Sequence, residues 1–217
     1  MLGEVVHLFK KFIIMTDEEK LFIKLVKAKC KEHNVELILK KTKKIKLSED
    51  IKVGGYFEEI TKKKGRLVCA MKHPQYLSIL VHEFSHMEQW VEQIDIWKKM
   101  AKCNGIDDWL EGKNVKNIFK QLDYMKLLEL DCEKRAVQNI KKYNLPIDIP
   151  TYIQKATSYV FFYNFIKETR KWSKPGNASF SPKNESLWGL CPSTFKPDSY
   201  YETIPKKIHN KFIELDI

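Results

Sequence analysis

The stretch Val81-His82-Glu83-Phe84-Ser85-His86-Met87 sets two histidines four residues apart, with a glutamate directly after the first. Positions i and i+4 of a helix stand on one face, one turn apart, so both imidazoles can reach a single metal ion. Glu83 lies beside them, where a carboxylate can take a proton from a water that the metal polarises. Outward from this HExxH arrangement, Leu77, Leu80, Val81, Phe84, Met87 and Val91 recur at helical spacing. Pro74 suits the first turn of that helix. The two histidines fall at the border of its apolar face, where a cleft can open.

A zinc site of this kind needs a third protein ligand and keeps a fourth position open. The segment from Asn117 to Tyr143 reads as one long helix without internal Gly or Pro. Glu129 and Glu133 lie in the middle of its apolar stripe, with Leu122, Met125, Ala136 and Ile140. Burying two carboxylates is costly unless a cation or hydrogen-bond donors compensate. Zinc and its histidines would compensate, and spacing alone does not rank the two carboxylates. Asp131 points to the other side, with Arg135 four residues on, and reads as a solvated ion-pair partner.

His82-Glu83-Phe84-Ser85-His86 followed by Glu129-Leu130-Asp131-Cys132-Glu133 resembles the gluzincin metallopeptidases, in particular short forms of ImmA/IrrE type and phage-encoded HExxH proteins. The resemblance covers roughly Lys52 to Arg170. It implies a zincin-like fold, Glu129 as third zinc ligand and Glu133 as the outer partner of a motif histidine. Members often have Asp or Asn at the second position, with Ala before it; this chain has Glu133 and Cys132. The separation of His86 and Glu129 (129 − 86 = 43 residues) is longer than in many small members.

The chain has 217 residues, 43% hydrophobic and 12% aromatic, too apolar for a disordered protein. No apolar run approaches a transmembrane length, so no membrane association is expected. Lys10 and Lys11 precede only a short apolar patch, Phe12-Ile13-Ile14-Met15, which does not read as a signal peptide. Five scattered cysteines without a CxxC pair indicate reduced thiols, hence a cytoplasmic protein, or one of the host cytoplasm if phage-encoded. The net charge of +11 admits a nucleic-acid partner, but only Arg66, Arg135 and Arg170 are arginines. Lysine is a solvated point charge rather than a bidentate reader, so nucleic acid is not the favoured partner.

Thr16-Asp17-Glu18-Glu19 is a capping box opening a helix to about Glu32, with Leu21, Phe22, Leu25 and Val26 as its buried face. Strand-like runs follow at Val35–Leu39, Ile51–Glu59 and Arg66–Met71, with a turn at Lys62–Gly65 and a bulge or close approach at Gly54-Gly55. After the motif helix come a short helix at Ile94–Lys102, the Glu129 helix and an aromatic helix at Thr151–Arg170. A small β-sheet followed by a helical bundle gives an α+β domain over residues 1–173. Residues 174–217, broken by Pro175, Pro182, Pro192, Pro197 and Pro205, read as an irregular extension packed on it; Leu187, Trp188, Leu190 and Phe195 need cover.

Together these readings lead to a zinc metallopeptidase acting on a protein or peptide, with His82, His86 and Glu129 as ligands and Glu83 as general base. Tyr159 and Tyr163, one turn apart on the aromatic helix, are candidate oxyanion donors, although plain core packing explains them as well. His73 reads as structural. Arg66–Met71 is the expected strand for pairing with extended substrate, the mode that the resemblance implies. The rival is a non-catalytic, peptidase-like module that binds a protein or nucleic acid.

Overall fold

The computed structural model describes residues 15–48 and 51–217. Most of the N-terminal apolar patch lies outside them. Helix α1 (Asp17–Glu32) opens on the expected capping box: Glu19 N–H donates to Thr16 Oγ1 at 3.3 Å, and Thr16 N–H to Glu19 Oε2 at 2.7 Å. Its buried face is Phe22, Ile23, Val26 and Cys30; Leu21 is 66% exposed, contrary to the sequence reading.

Five strands follow: β1 (Val35–Lys40), β2 (Ile45–Lys46), β3 (Lys52–Val53), β4 (Gly55–Thr61) and β5 (Lys64–Ala70). The run expected as one strand over Ile51–Glu59 is split at Gly54, and β2 was not anticipated. β1 runs parallel to β5, β4 antiparallel to it, and the order is β1-β5-β4; β2 and β3 form a separate antiparallel pair. β5 is therefore the central strand. Leu67 and Cys69 join the core under α1 and the motif helix, while Val68 and Ala70 pack with Ile45 on the other face. This corrects the expectation that Arg66–Met71 is an exposed edge: both of its edges are already paired, and the free edge beside the motif helix belongs to β4.

Gly54-Gly55 is a close approach, as expected. A Cβ on Gly54 would sit 2.4 Å from Ile79 Cδ1, and one on Gly55 2.6 Å from Ile79 Cγ2 and 2.8 Å from the Val68 carbonyl oxygen. Only glycine lets β4 lie this close to the motif helix, α2 (Tyr76–Glu92). Pro74 lies just ahead of α2 rather than in its first turn.

The 43-residue interval between His86 and Glu129 carries α3 (Asp95–Met100) and α4 (Ile106–Leu110), the latter unforeseen. Helix α5 (Ile118–Lys142) crosses α2, and α6 (Ile149–Thr169) packs along α5. The tail is more ordered than expected. It contains short 3-10 turns at Pro182–Asn184 and Asp198–Tyr201, α7 (Glu185–Trp188) and a nine-residue helix, α8 (Lys206–Glu214). Leu187, Cys191, Tyr201, Ile208 and Phe212 are not merely covering; they share a core with the aromatic face of α6. Leu187 and Trp188 are buried, whereas Leu190 is left 46% exposed. The architecture is α+β, all five cysteines are free thiols, and no helix among the described residues is long and apolar enough to cross a membrane.

Candidate metal centre

Helix α2 brings His82 and His86 together edge to face, with ring centroids 4.7 Å apart and planes at 90°. Across from them, α5 presents Glu129. Its Oε2 lies 3.7 Å from His82 Nε2 and 3.6 Å from His86 Nε2. That oxygen is buried and has no hydrogen-bond partner. A buried carboxylate oxygen without donors is costly, and one facing two imidazole nitrogens is what a divalent cation would satisfy.

The far nitrogen of each imidazole is held from behind. Glu133 Oε1 lies 3.2 Å from His82 Nδ1, and Glu133 Oε2 accepts from the Tyr152 hydroxyl at 2.6 Å. His86 Nδ1 lies 2.8 Å from Gln89 Oε1. The Gln89 amide group, fully buried, donates to the Leu128 carbonyl at 2.9 Å and to Asp131 Oδ2 at 2.8 Å. With both amide protons committed, Gln89 must turn its oxygen to His86, so Nδ1 carries a proton and Nε2 is the nitrogen that faces Glu129. Asp131 makes the expected pair with Arg135 at 2.6 Å, but it is not merely a solvated partner, because it also fixes Gln89.

Two compact trios of ligating atoms lie within 4.8 Å of one another among the described residues: His82–His86–Cys132 and His82–Glu129–Glu133. Neither is the trio read from the sequence: Glu129 Oε2 is near both Nε2 atoms, but these two nitrogens stand more than 4.8 Å apart. Cys132 Sγ is 3.7 Å from His82 Nδ1, but its thiol donates to the His82 carbonyl at 3.3 Å. Burial pushes its pKa up strongly, so it stays a neutral thiol. Glu133 is already occupied by Tyr152. The orphaned Glu129 oxygen is the remaining acceptor with both Nε2 atoms in front of it.

Electrostatics follow this layout. Burial works against a charged His86, yet Glu129 above all, with Glu83 and Gln89, raises its pKa to about 9. Burial likewise opposes charge on His82, but Cys132 and Glu133 outweigh it and hold the pKa well above the usual range. Glu129 goes the other way: burial would raise its pKa, and His86 and His82 pull it below the ordinary carboxylate value. Glu83 is 8% exposed and its pKa is raised by burial, opposed by the two histidines and by the Phe57 backbone amide of β4.

Tyr159 and Tyr163 are brought together beside this cluster: the Tyr163 hydroxyl and that of Tyr159 are 2.7 Å apart, Tyr163 donating. Tyr159 thus keeps its own proton, with no acceptor among the described residues. Burial first and then the Glu129 charge raise its pKa. His73 is structural as expected, its Nδ1 accepting from Gln75 N–H at 3.1 Å in the turn before α2. Sequence reasoning missed Gln89 and Tyr152 as parts of the site. Gln89 had a signal, standing one turn after His86 on the same face; Tyr152 had none beyond its place in an aromatic run. No protein-family model matches the sequence, and no curated protein or solved structure shows detectable similarity to it.

Proposed function

We propose that the chain is a zinc-dependent metallopeptidase of zincin-like build, in which His82, His86 and Glu129 hold the metal and Glu83 is the general base. The observation that carries this reading is the orphaned Glu129 oxygen facing both Nε2 atoms. Ligands of a tetrahedral zinc ion with bonds of about 2.0–2.1 Å stand roughly 3.3 Å apart. The two carboxylate–imidazole separations of 3.7 and 3.6 Å need close by only a few tenths of an ångström, whereas the two Nε2 atoms, more than 4.8 Å apart, must draw together by over an ångström as the metal binds. Two imidazoles and one carboxylate are a donor set that suits zinc and leaves a position open.

Bound zinc would supply Lewis acidity, polarising a carbonyl and lowering the pKa of water to about 7. Glu83 takes the proton from the attacking water and returns it to the leaving amine; its upward-shifted pKa suits a group that must do both. Glu133 and Gln89 lie on the Nδ1 side of each imidazole, which leaves Nε2 of each ring for the metal. Tyr159, with its proton free and Tyr163 behind it, is the donor for charge developing on the carbonyl oxygen. The free edge of β4 replaces Arg66–Met71 as the strand that pairs with an extended protein or peptide substrate.

Glu83→Gln tests the reading. The variant should keep its metal and lose peptide hydrolysis by about 10²-fold or more. Hydrolysis at the wild-type rate in that variant would remove Glu83 from the chemistry.

A further inference from the structure

We infer that the cleft beside β4 holds a subsite for a lysine or arginine side chain of an extended peptide, an inference that rests on the metallopeptidase reading. A cavity of about 310 Å³ lies there, lined by Glu59, Ile60, Trp97, Met100, Ala101 and Leu128. Leu128 is the residue before Glu129 on α5, and its carbonyl accepts from Gln89, the partner of His86. Trp97, Met100 and Ala101 come from α3 and its end, within the long interval between the two motifs.

The chemistry of the lining selects the occupant. Glu59 is exposed, but its carboxylate is fixed by the Trp97 indole N–H at 3.1 Å. Arg66 is taken by Glu36 at 2.8 Å and Glu58 at 2.9 Å, which leaves Glu59 with no cation at ion-pair distance among the described residues. The charged side chains of α3, Asp95, Lys98 and Lys99, are exposed, as is Lys102 just after it, and none pairs with Glu59 among those residues. An aliphatic stem can lie on Trp97, Met100 and Leu128 while its cation meets Glu59 and the indole face.

The strand supplies the spacing. The Gly54 carbonyl accepts from Ala70 N–H at 2.8 Å, which directs Gly54 to β5. Backbone groups alternate in direction along an antiparallel strand, so those of Gly55, Phe57 and Glu59 face the open edge. A Cβ on Gly55 would lie 3.3 Å from Glu83 Cγ. Glu59 lies four residues on, about 13 Å along the strand. A peptide paired on this edge with its scissile bond at Glu83 sets a side chain roughly three or four residues away over the cavity.

The experiment has two arms, both on the full chain. Digestion of a positional-scanning peptide library should show enrichment of Lys and Arg at one position roughly three or four residues from the cleaved bond. Glu59→Lys should lower the ratio of kcat/KM for the Lys-bearing over the Glu-bearing peptide by about tenfold or more. In the second arm, calorimetry on Glu83→Gln should show the Lys-bearing peptide binding about tenfold tighter than the Glu-bearing one, with Glu59→Lys reversing the order. Cleavage without a basic preference, with a bulky apolar preference at that position, or with a basic preference that survives Glu59→Lys overturns the subsite alone. Discrimination in binding without any cleavage keeps the subsite and retires the peptidase reading. Neither cleavage nor discrimination overturns both.

Discussion

Gln89 is uncharged and belongs to no motif, yet its amide decides which nitrogen of His86 is free. Its two donors are spent on Leu128 and Asp131, and Arg135, which also bonds Glu92 at 2.8 Å, steadies Asp131. Outer partners of this kind typically change metal affinity about 10- to 100-fold when removed. Gln89→Ala should therefore weaken zinc binding by about that factor, measured by titration against a competing chelator. Asp131→Asn should weaken it less, because the backbone carbonyl of Leu128 still restrains the amide. Unchanged affinity in Gln89→Ala would show that packing alone orients His86. His82, Glu83 and His86 were legible because their spacing on one helix is a local property. Gln89 carried only its place one turn after His86; its other partners come from α5, and the crossing of two helices is not written at either position.

At the scale of elements, the strands show which signals were available and unused. Leu67-Val68-Cys69-Ala70 is a continuous apolar run, the mark of a strand covered on both faces, and β5 is buried on both. An edge strand with one open side would not need that mark. The partnering of β1 with β5, with β2, β3 and β4 between them in the chain, is long-range and leaves no local trace. Between α5, α6 and the tail, a buried polar clamp does what apolar packing does elsewhere. Lys126, 6% exposed, donates to Asn164 Oδ1 at 3.1 Å, and Asn164 Nδ2 donates to the Tyr201 carbonyl at 2.9 Å. Asn164→Ala leaves the Tyr201 carbonyl and one Lys126 N–H without their partner, although Lys126 keeps Asp123 at 3.1 Å, and should destabilise the fold by about 1–3 kcal/mol. Denaturant unfolding checks this; a midpoint unmoved within error would mean that water replaces the amide.

Across the whole molecule, two cores share α5 between the sheet side and the tail side, and the candidate metal site lies where α2 meets α5. Leu187, Trp188, Leu190 and Phe195 point to a tail packed on the domain, but not to a helix at Lys206–Glu214 within it, since the two buried residues of that helix, Ile208 and Phe212, are a sparse signal. The excess positive charge is nearly all lysine. All three arginines are engaged within the fold: Arg66 with Glu36 and Glu58, Arg135 with Asp131 and Glu92, and Arg170 with the Trp109 and Lys113 carbonyls at 2.6 Å each.

Whether one zinc ion is held by His82, His86 and Glu129 is decided by the zinc content and affinity of purified protein, wild type beside His86→Ala, Glu129→Gln and Glu133→Gln. The wild type should carry one zinc per chain. His86→Ala and Glu129→Gln should lose it, and Glu133→Gln should retain it with affinity about 10- to 100-fold weaker. Equal zinc in wild type and His86→Ala would contradict the site, and Glu133→Gln proving more damaging than Glu129→Gln would contradict the assignment of its third ligand.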